Sequence, residues 1–274
     1  VLACVSSWSP PPPVGYHRTE PVSEAGSAIG AEACHACHAS EGDFFLANDA
    51  HGDCESCHGA GELHAQTYEA ANIRYPSSED CVACHRIGSR TLLGWSSSPH
   101  ARSNVICSDC HSTHNRELYN LRKVGRVEDI VLRHAGPSSR MCAGCHPDVR
   151  AQLGLPSHHP IAEGMLRCTD CHDPHEGQRE SLGARTNRCT VCHQEVAGPW
   201  IYDHPPVNED CGYCHVPHGA SADFLLEANQ PAACISCHTL PTAGAIHQPY
   251  AFTTDCTDCH NAVHGSYTDP LLRR

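Results

Sequence analysis

Ten copies of one five-residue pattern, Cys-X-X-Cys-His, fix most of what this 274-residue chain can become. They begin at Cys34, Cys54, Cys81, Cys107, Cys142, Cys168, Cys189, Cys211, Cys234 and Cys256. Their second cysteines are Cys37, Cys57, Cys84, Cys110, Cys145, Cys171, Cys192, Cys214, Cys237 and Cys259. The closing histidines are His38, His58, His85, His111, His146, His172, His193, His215, His238 and His260. Two thiols three residues apart lie on one helical turn, so both reach the vinyl groups of a single porphyrin and become thioethers. The adjacent imidazole then falls under the iron. Zinc knuckles do not require a histidine directly after the second cysteine, and a disulfide scaffold requires no histidine at all. The pattern predicts ten haems c, attached on the far side of the cytoplasmic membrane.

The rest of the composition fits a chain wrapped around cofactors. With 4 Phe, 3 Trp and 2 Met there is little to build a side-chain core from, and 21 Gly plus 20 Pro break long helices and strands. The expected fold class is a multihaem cytochrome c, mostly irregular, with short α-helices and negligible sheet. It is expected to be an elongated rod organised around a chain of ten haems. Short helical turns should carry the motifs, with longer helices around Leu118 to Val131 and Ala220 to Ala228. The formal charge of −13 becomes about −23 with ten oxidised haems, which argues against nucleic acid as a partner.

The ten motifs group into five two-haem repeats of roughly 45 to 60 residues. Each repeat reads motif, inner histidine, motif, trailing histidine. The inner histidines are His51, His100, His159, His204 and His247, and the trailing ones are His64, His114, His175, His218 and His264. These ten are the expected distal ligands, one for each iron. In the third repeat either His158 or His159 fits, and His159 is preferred because His159-Pro160-Ile161 matches His204-Pro205-Pro206-Val207. His17, His35 and His134 are spare. A trailing histidine only three residues after a proximal one is too close to swing over its own haem. It is therefore expected to ligate a neighbour, as with His175. Two imidazoles per iron imply low-spin, low-potential haems with no open coordination position, so the chain is read as an electron carrier and not an enzyme.

Residues 1–30 read as a tether and 31–274 as the decahaem domain, in pentahaem halves of about 31–150 and 151–274. Cys4 is the one cysteine outside a motif, and Val1-Leu2-Ala3-Cys4 resembles a bacterial lipobox, which makes Cys4 a lipidation candidate. Val5 after it, in place of Asp, resembles the outer-membrane sorting pattern of lipoproteins. Pro10 to Pro13 form a stiff spacer. No run of 18 apolar residues occurs, so no spanning helix is expected.

Several strings carry a family resemblance. His158-His159-Pro160-Ile161-Ala162-Glu163-Gly164, Asp170-Cys171-His172-Asp173-Pro174-His175, Gly198-Pro199-Trp200, and His204-Pro205-Pro206-Val207 through Cys211 are similar to the MtrA/DmsE-type decahaem cytochromes. Val216-Pro217-His218-Gly219 and Val263-His264-Gly265-Ser266 are as well. The resemblance covers about residues 30 to 274. It implies a file of bis-histidine haems seated inside an outer-membrane β-barrel porin, on the periplasmic side of the outer membrane. Such a file relays electrons between periplasmic electron-carrier cytochromes and an extracellular multihaem cytochrome or a mineral. The family pattern does not require a lipobox. A lipid-tethered or soluble periplasmic shuttle, or a subunit of an extracellular cytochrome filament, are the alternatives.

Overall fold

The computed structural model describes residues 26–46, 51, 53–85, 94–114, 131–176, 182–239, 247 and 253–273, with no side-chain description for 44–46 and 182–185. The residues from 118 to 130 of the helix expected around Leu118 to Val131 lie outside this set, as do Cys4 and His17.

The attachment pattern dictates the local structure. In eight motifs the closing histidine donates its backbone N–H to the carbonyl of the first cysteine, as in His111 to Cys107 at 2.8 Å and His146 to Cys142 at 3.1 Å. The other two sit inside helices Cys54–His58 and Ser78–His85. One turn is all the motif needs, since it brings both thiols and the imidazole to one side. Helices Ala31–His35, Cys107–Cys110 and Ala232–Ile235 are that short, and Cys168–Asp170, Cys211–Tyr213 and Cys256–Asp258 tighten into single 3₁₀ turns. Helices Pro137–Cys145 and Leu182–Thr190 run into their motifs from upstream.

So short a helix leaves most of its N–H groups without an intrahelical acceptor, and carboxylates supply acceptors. Asp53 accepts from Ser56 N, Asp80 from Ser77 N, Asp109 from Ile106 N, Asp170 from Arg167 N and Asp210 from Gly212 N, at 2.7–2.9 Å. Each cap contributes about 1 kcal/mol to holding its turn.

The sheet consists of two clasps. Strand β1 (Ser157–His158) pairs antiparallel with β3 (Gly219–Ala220), and β2 (Tyr202–Asp203) pairs with β4 (Gly265–Ser266). The registers are Ser157 with Ala220, His158 with Gly219, Tyr202 with Ser266 and Asp203 with Gly265.

The helix expected at Ala220 to Ala228 does not form. Ala220 belongs to β3, Phe224 and Leu225 sit at φ +57° and +58°, and only Asp223–Leu225 makes a 3₁₀ turn. The segment folds back on the preceding motif instead. Val216 N donates to Leu225 O at 2.7 Å, and Glu227 N donates to Cys214 O at 2.9 Å. Tertiary hydrogen bonds outweigh the helix propensity of its Ala and Leu residues.

Two compact units emerge: Val1–Val127 with Asp173–Gln178, and Glu128–His172 with Arg179–Arg274. The second contains the one apolar cluster among the described residues, formed by Leu132, Ala135, Ala143, Leu153, Ile161 and Ala162. No described helix is long and apolar enough to cross a membrane.

Candidate haem sites

Among the described residues, nine imidazole pairs each join a motif histidine to one outside the motifs. In the first unit they are His38–His64, His51–His85, His58–His114 and His111–His175, with ring centroids 6.2, 6.1, 5.8 and 5.8 Å apart. In the second they are His159–His193, His172–His218, His204–His238, His215–His264 and His247–His260, at 6.2, 6.0, 6.0, 6.2 and 6.3 Å. Two imidazole nitrogens about 2 Å from one iron set their ring centroids roughly 6.3 Å apart, because each centroid lies about 1.1 Å behind its nitrogen. Aromatic contacts in general spread over roughly 4.5–7 Å. A set confined to 5.8–6.3 Å, and always mixing the two kinds of histidine, fits an iron between the rings. Of the two sets of ten, these pairs leave over His100 and His146, which both have interactions of their own.

The pairs follow a rule. An inner histidine goes forward to the first motif of the next repeat: His51 to His85, His159 to His193, His204 to His238. A trailing histidine goes back to the second motif of the preceding repeat: His114 to His58, His175 to His111, His218 to His172, His264 to His215. Only the terminal repeats close on themselves, with His64 on His38 and His247 on His260. The segment Asp173–Gln178 belongs with the first unit, and it carries His175 to His111.

Backbone carbonyls orient the rings. His58 Nδ1 donates to Arg74 O (2.8 Å), His215 Nδ1 to Phe224 O (2.8 Å) and His260 Nδ1 to Leu271 O (2.6 Å). A carbonyl only accepts, so the proton is on Nδ1 and the Nε2 lone pair is left for a metal. Three inner histidines use one recurring acceptor, the residue before a trailing histidine. His100 Nδ1 donates to Pro174 O at 3.1 Å and His159 Nδ1 to Pro217 O at 2.5 Å, while the His204 ring bonds the Val263 backbone. The clasps β1–β3 and β2–β4 lie directly beside the last two of these bonds. Each clasp therefore fixes one inner and one trailing histidine together. Burial also holds His114, His204, His218 and His264 below the ordinary imidazole range, which keeps them neutral and able to ligate.

His158 is differently placed from its neighbour. Its Nδ1 donates to Leu155 O at 2.5 Å and its Nε2 to Glu163 at 3.0 Å, and the Glu163 hydrogen bond first and then Leu155 raise its pKa. An imidazolium donating from both nitrogens has no lone pair for iron. His35 is bound to Asp43 at 2.9 Å.

The motif cysteines are arranged in order. Within every repeat the two first cysteines hydrogen-bond: Cys34 with Cys54, Cys81 with Cys107, Cys142 with Cys168, Cys189 with Cys211, and Cys234 with Cys256. The contact pulls Cys107 and Cys168 down to about 6, while burial first and the facing thiol next push Cys189 and Cys234 up to about 11. Between repeats, Cys57 lies near Cys81, Cys171 near Cys192, and Cys214 near Cys237. Porphyrins attached at these sulfurs would be edge to edge, in chain order, within each unit. The apolar side chains beside the motifs are bare: Val191 is 72% exposed and Phe224 80%, with Tyr213 and Ile235 also open. Such surface calls for an apolar cover, which a macrocycle supplies. No three His, Cys, Asp or Glu side chains converge as a zinc site among the described residues.

Sequence reasoning missed the orienting acceptors. Their trace is a Pro or Val placed before a trailing histidine and, at the clasps, a Gly after it. Gly265 sits at φ +148° against the Trp200 ring, and a Cβ on Gly219 would strike Gln152 O.

Comparison with known proteins agrees with this chemistry. Residues 158–198 and 204–241 match the family described as the doubled CXXCH motif. The chain is similar to the multiheme cytochrome MtrA of Shewanella baltica, with 29% identity covering 88% of this chain and 79% of the relative. It is also similar to the dissimilatory sulfite reductase MccA of Wolinella succinogenes, with 23% identity covering 85% of this chain but 33% of the relative. The C-type polyheme cytochrome OmcB of Geobacter sulfurreducens matches at 24% over 54% of this chain and 26% of its own length.

Proposed function

We propose that this chain, a multihaem c-type cytochrome of the MtrA type, carries ten haems c and conducts electrons across the outer membrane from inside a β-barrel porin. Its coarse role is electron transfer, and haem c is its cofactor. The observation that carries the finer reading is the ligand rule: a junction between repeats is crossed by histidines travelling both ways, so successive irons are locked side by side.

Each haem, once bound, supplies one-electron exchange between ferric and ferrous iron. The residues do the rest. The twenty cysteines would hold the porphyrins covalently, and the ten motif histidines together with His51, His64, His100, His114, His159, His175, His204, His218, His247 and His264 would supply imidazole ligands to the irons. Imidazole on both faces excludes water and substrate from the iron, which supports an electron carrier over an enzyme. Carbonyls of Arg74, Pro217, Phe224 and Leu271 keep the rings from turning.

The periplasmic face of the outer membrane is the proposed location, with Cys4 as a lipid anchor. Periplasmic electron-carrier cytochromes stand at one end and an extracellular multihaem cytochrome or a mineral at the other. The test is to solubilise outer membranes, count haem per polypeptide, and ask whether the cytochrome migrates with a β-barrel at one-to-one stoichiometry. Together they should carry electrons into sealed liposomes. Migration alone as a soluble species, with full haem content, would leave a periplasmic shuttle in place of a conduit.

A further inference from the structure

We infer that Glu195 is a positioning residue that lowers the potential of the iron held between His193 and His159, and makes that iron spectroscopically distinct. The inference rests on the reading of that pair as axial ligands.

Two linked observations mark this pair. The first is the acceptor. His193 Nδ1 lies 3.3 Å from the Glu195 carboxylate, on the 3₁₀ turn Gln194–Val196 that directly follows the motif. At His58, His64, His159, His215 and His260 the Nδ1 acceptor is a backbone carbonyl. A full negative charge on the acceptor pushes more electron density through the ring to Nε2 than a carbonyl dipole does, and it favours ferric over ferrous iron. Asp173 approaches His175 Nδ1 at the same 3.3 Å, but its carboxylate also accepts the His175 backbone N–H, which spends part of that charge. Glu195 also faces His264, so its field reaches the neighbouring His215–His264 iron through space alone. The Glu195 side chain is 69% exposed, so solvent screens it and the shift is modest.

The second observation is the ring angle. The His159 and His193 planes are 60° apart, whereas the other eight pairs lie between 8° and 43°. Near-parallel imidazoles both donate π density to the same iron d orbital and split it from its partner, giving a rhombic ferric signal. Widely crossed rings donate to both orbitals, bring them close in energy, and give a ferric signal with a large maximal g value. Two hydrogen bonds hold this angle, from His159 to Pro217 O and from His193 to Glu195.

The angle supplies the label by which one iron is followed among many. The experiment is a redox titration of the purified holoprotein followed by electron paramagnetic resonance, on the parent, Glu195→Gln, Glu195→Ala and Glu163→Gln. In the parent, the large-g signal is expected to disappear later in reduction than the main rhombic signals. Glu195→Gln keeps an oxygen for His193 Nδ1, so the large-g signal stays but disappears earlier, at a more positive potential. Glu195→Ala frees the ring and the large-g signal collapses toward the rhombic ones. Glu163→Gln removes an equal charge from His158, outside the ligand set, and leaves the titration unmoved. A large-g signal whose midpoint is the same in the parent and Glu195→Gln, or a parent without that signal, overturns the role of Glu195. A high-spin ferric iron at this site in the parent overturns the ligand assignment beneath it as well.

Discussion

Across the junctions between repeats the histidines change places, whereas at each end of the array one histidine, His64 or His247, stays within its own repeat. His218 and His264, trailing members of the fourth and fifth repeats, reach back to His172 and His215. His64 is also a trailing histidine, yet it pairs with His38 of its own repeat, and His247 likewise pairs with His260. The chemistry of the ligands is identical in both places. What differs is the availability of a neighbour within this sequence: no motif stands before Cys34 to receive His64, and none stands after His260 to receive His247. Position in the array, and not the local string, therefore decides which motif histidine each of them faces.

The sharpest way to break this contrast is to remove one trailing histidine from each region. His64→Ala should convert the iron at Cys34 and Cys37, in the same repeat, to high spin. His264→Ala should instead convert the iron at Cys211 and Cys214, one repeat earlier. Each substitution moves about one iron in ten, visible in the high-spin ferric signal. Adding Cys211→Ala and Cys214→Ala to His264→Ala should abolish that signal, while adding Cys256→Ala and Cys259→Ala should leave it. The reverse pattern would mean that interior and end repeats pair alike. His175→Ala offers the same comparison, with the iron at Cys107 and Cys110 responding and the one at Cys168 and Cys171 silent.

A smaller effect separates the clasps from the end repeat. Gly219→Val drives a side chain into Gln152 O and forces β3 from β1, so it should cost well over about 1 kcal/mol and disturb the His159 and His218 irons together. Gly30→Ala, at φ +81° and ψ 155° with open space around it, costs backbone strain alone, about 1–3 kcal/mol, and should leave every iron low-spin. Chemical denaturation followed at the haem bands, with spin state read in parallel, checks both.

The smallest effect concerns His158, which is bound to Leu155 and Glu163 beside the ring-paired His159. Its pKa is raised by Glu163, whose own is lowered by the same bond. The stability from the histidine's shift is complete below its unfolded pKa near 6.5 and is lost as pH rises through the higher folded value. The carboxylate's part disappears as pH falls through its lowered folded value. Glu163→Gln should therefore destabilise by less than about 1 kcal/mol, mainly in the acidic to neutral range, and the difference from the parent should fade above it. A difference that grows with rising pH would be inconsistent with an imidazolium at His158.

The sequence spoke clearly wherever chemistry demands a fixed spacing. The CxxCH turns form because thioethers and an axial ligand require one helical turn, and the capping Asp residues sit at or inside those same strings. Counting histidines per repeat likewise isolated His51 through His264 as a set. The pairing within that set was harder to read. Only the trailing histidines, three residues from their own proximal partner, carried a local hint that they must serve a neighbour. His158 and His159 are distinguished by Leu155, Glu163 and Pro217, and the last of these is 58 residues from His159. Two-residue strands leave no periodicity to detect. At Ala220 to Ala228 an Ala- and Leu-containing run looked helical, whereas its backbone is committed to Cys214 and His215.

The exchange of ligands between repeats also imposes a timetable on biogenesis. A chain delivered N-terminus first presents Cys54, Cys57 and His58 well before His114, so the second haem is attached while its outer face is still uncovered. Each later second-motif haem up to the fourth repeat waits in the same way for the repeat behind it, and only the first and last motifs finish within their own. On the proposed ligand set, until the final turn at His264 arrives the maturing protein would carry an iron open to small ligands and oxidants. A chain cut short between His58 and His264 would betray itself by that unfinished haem.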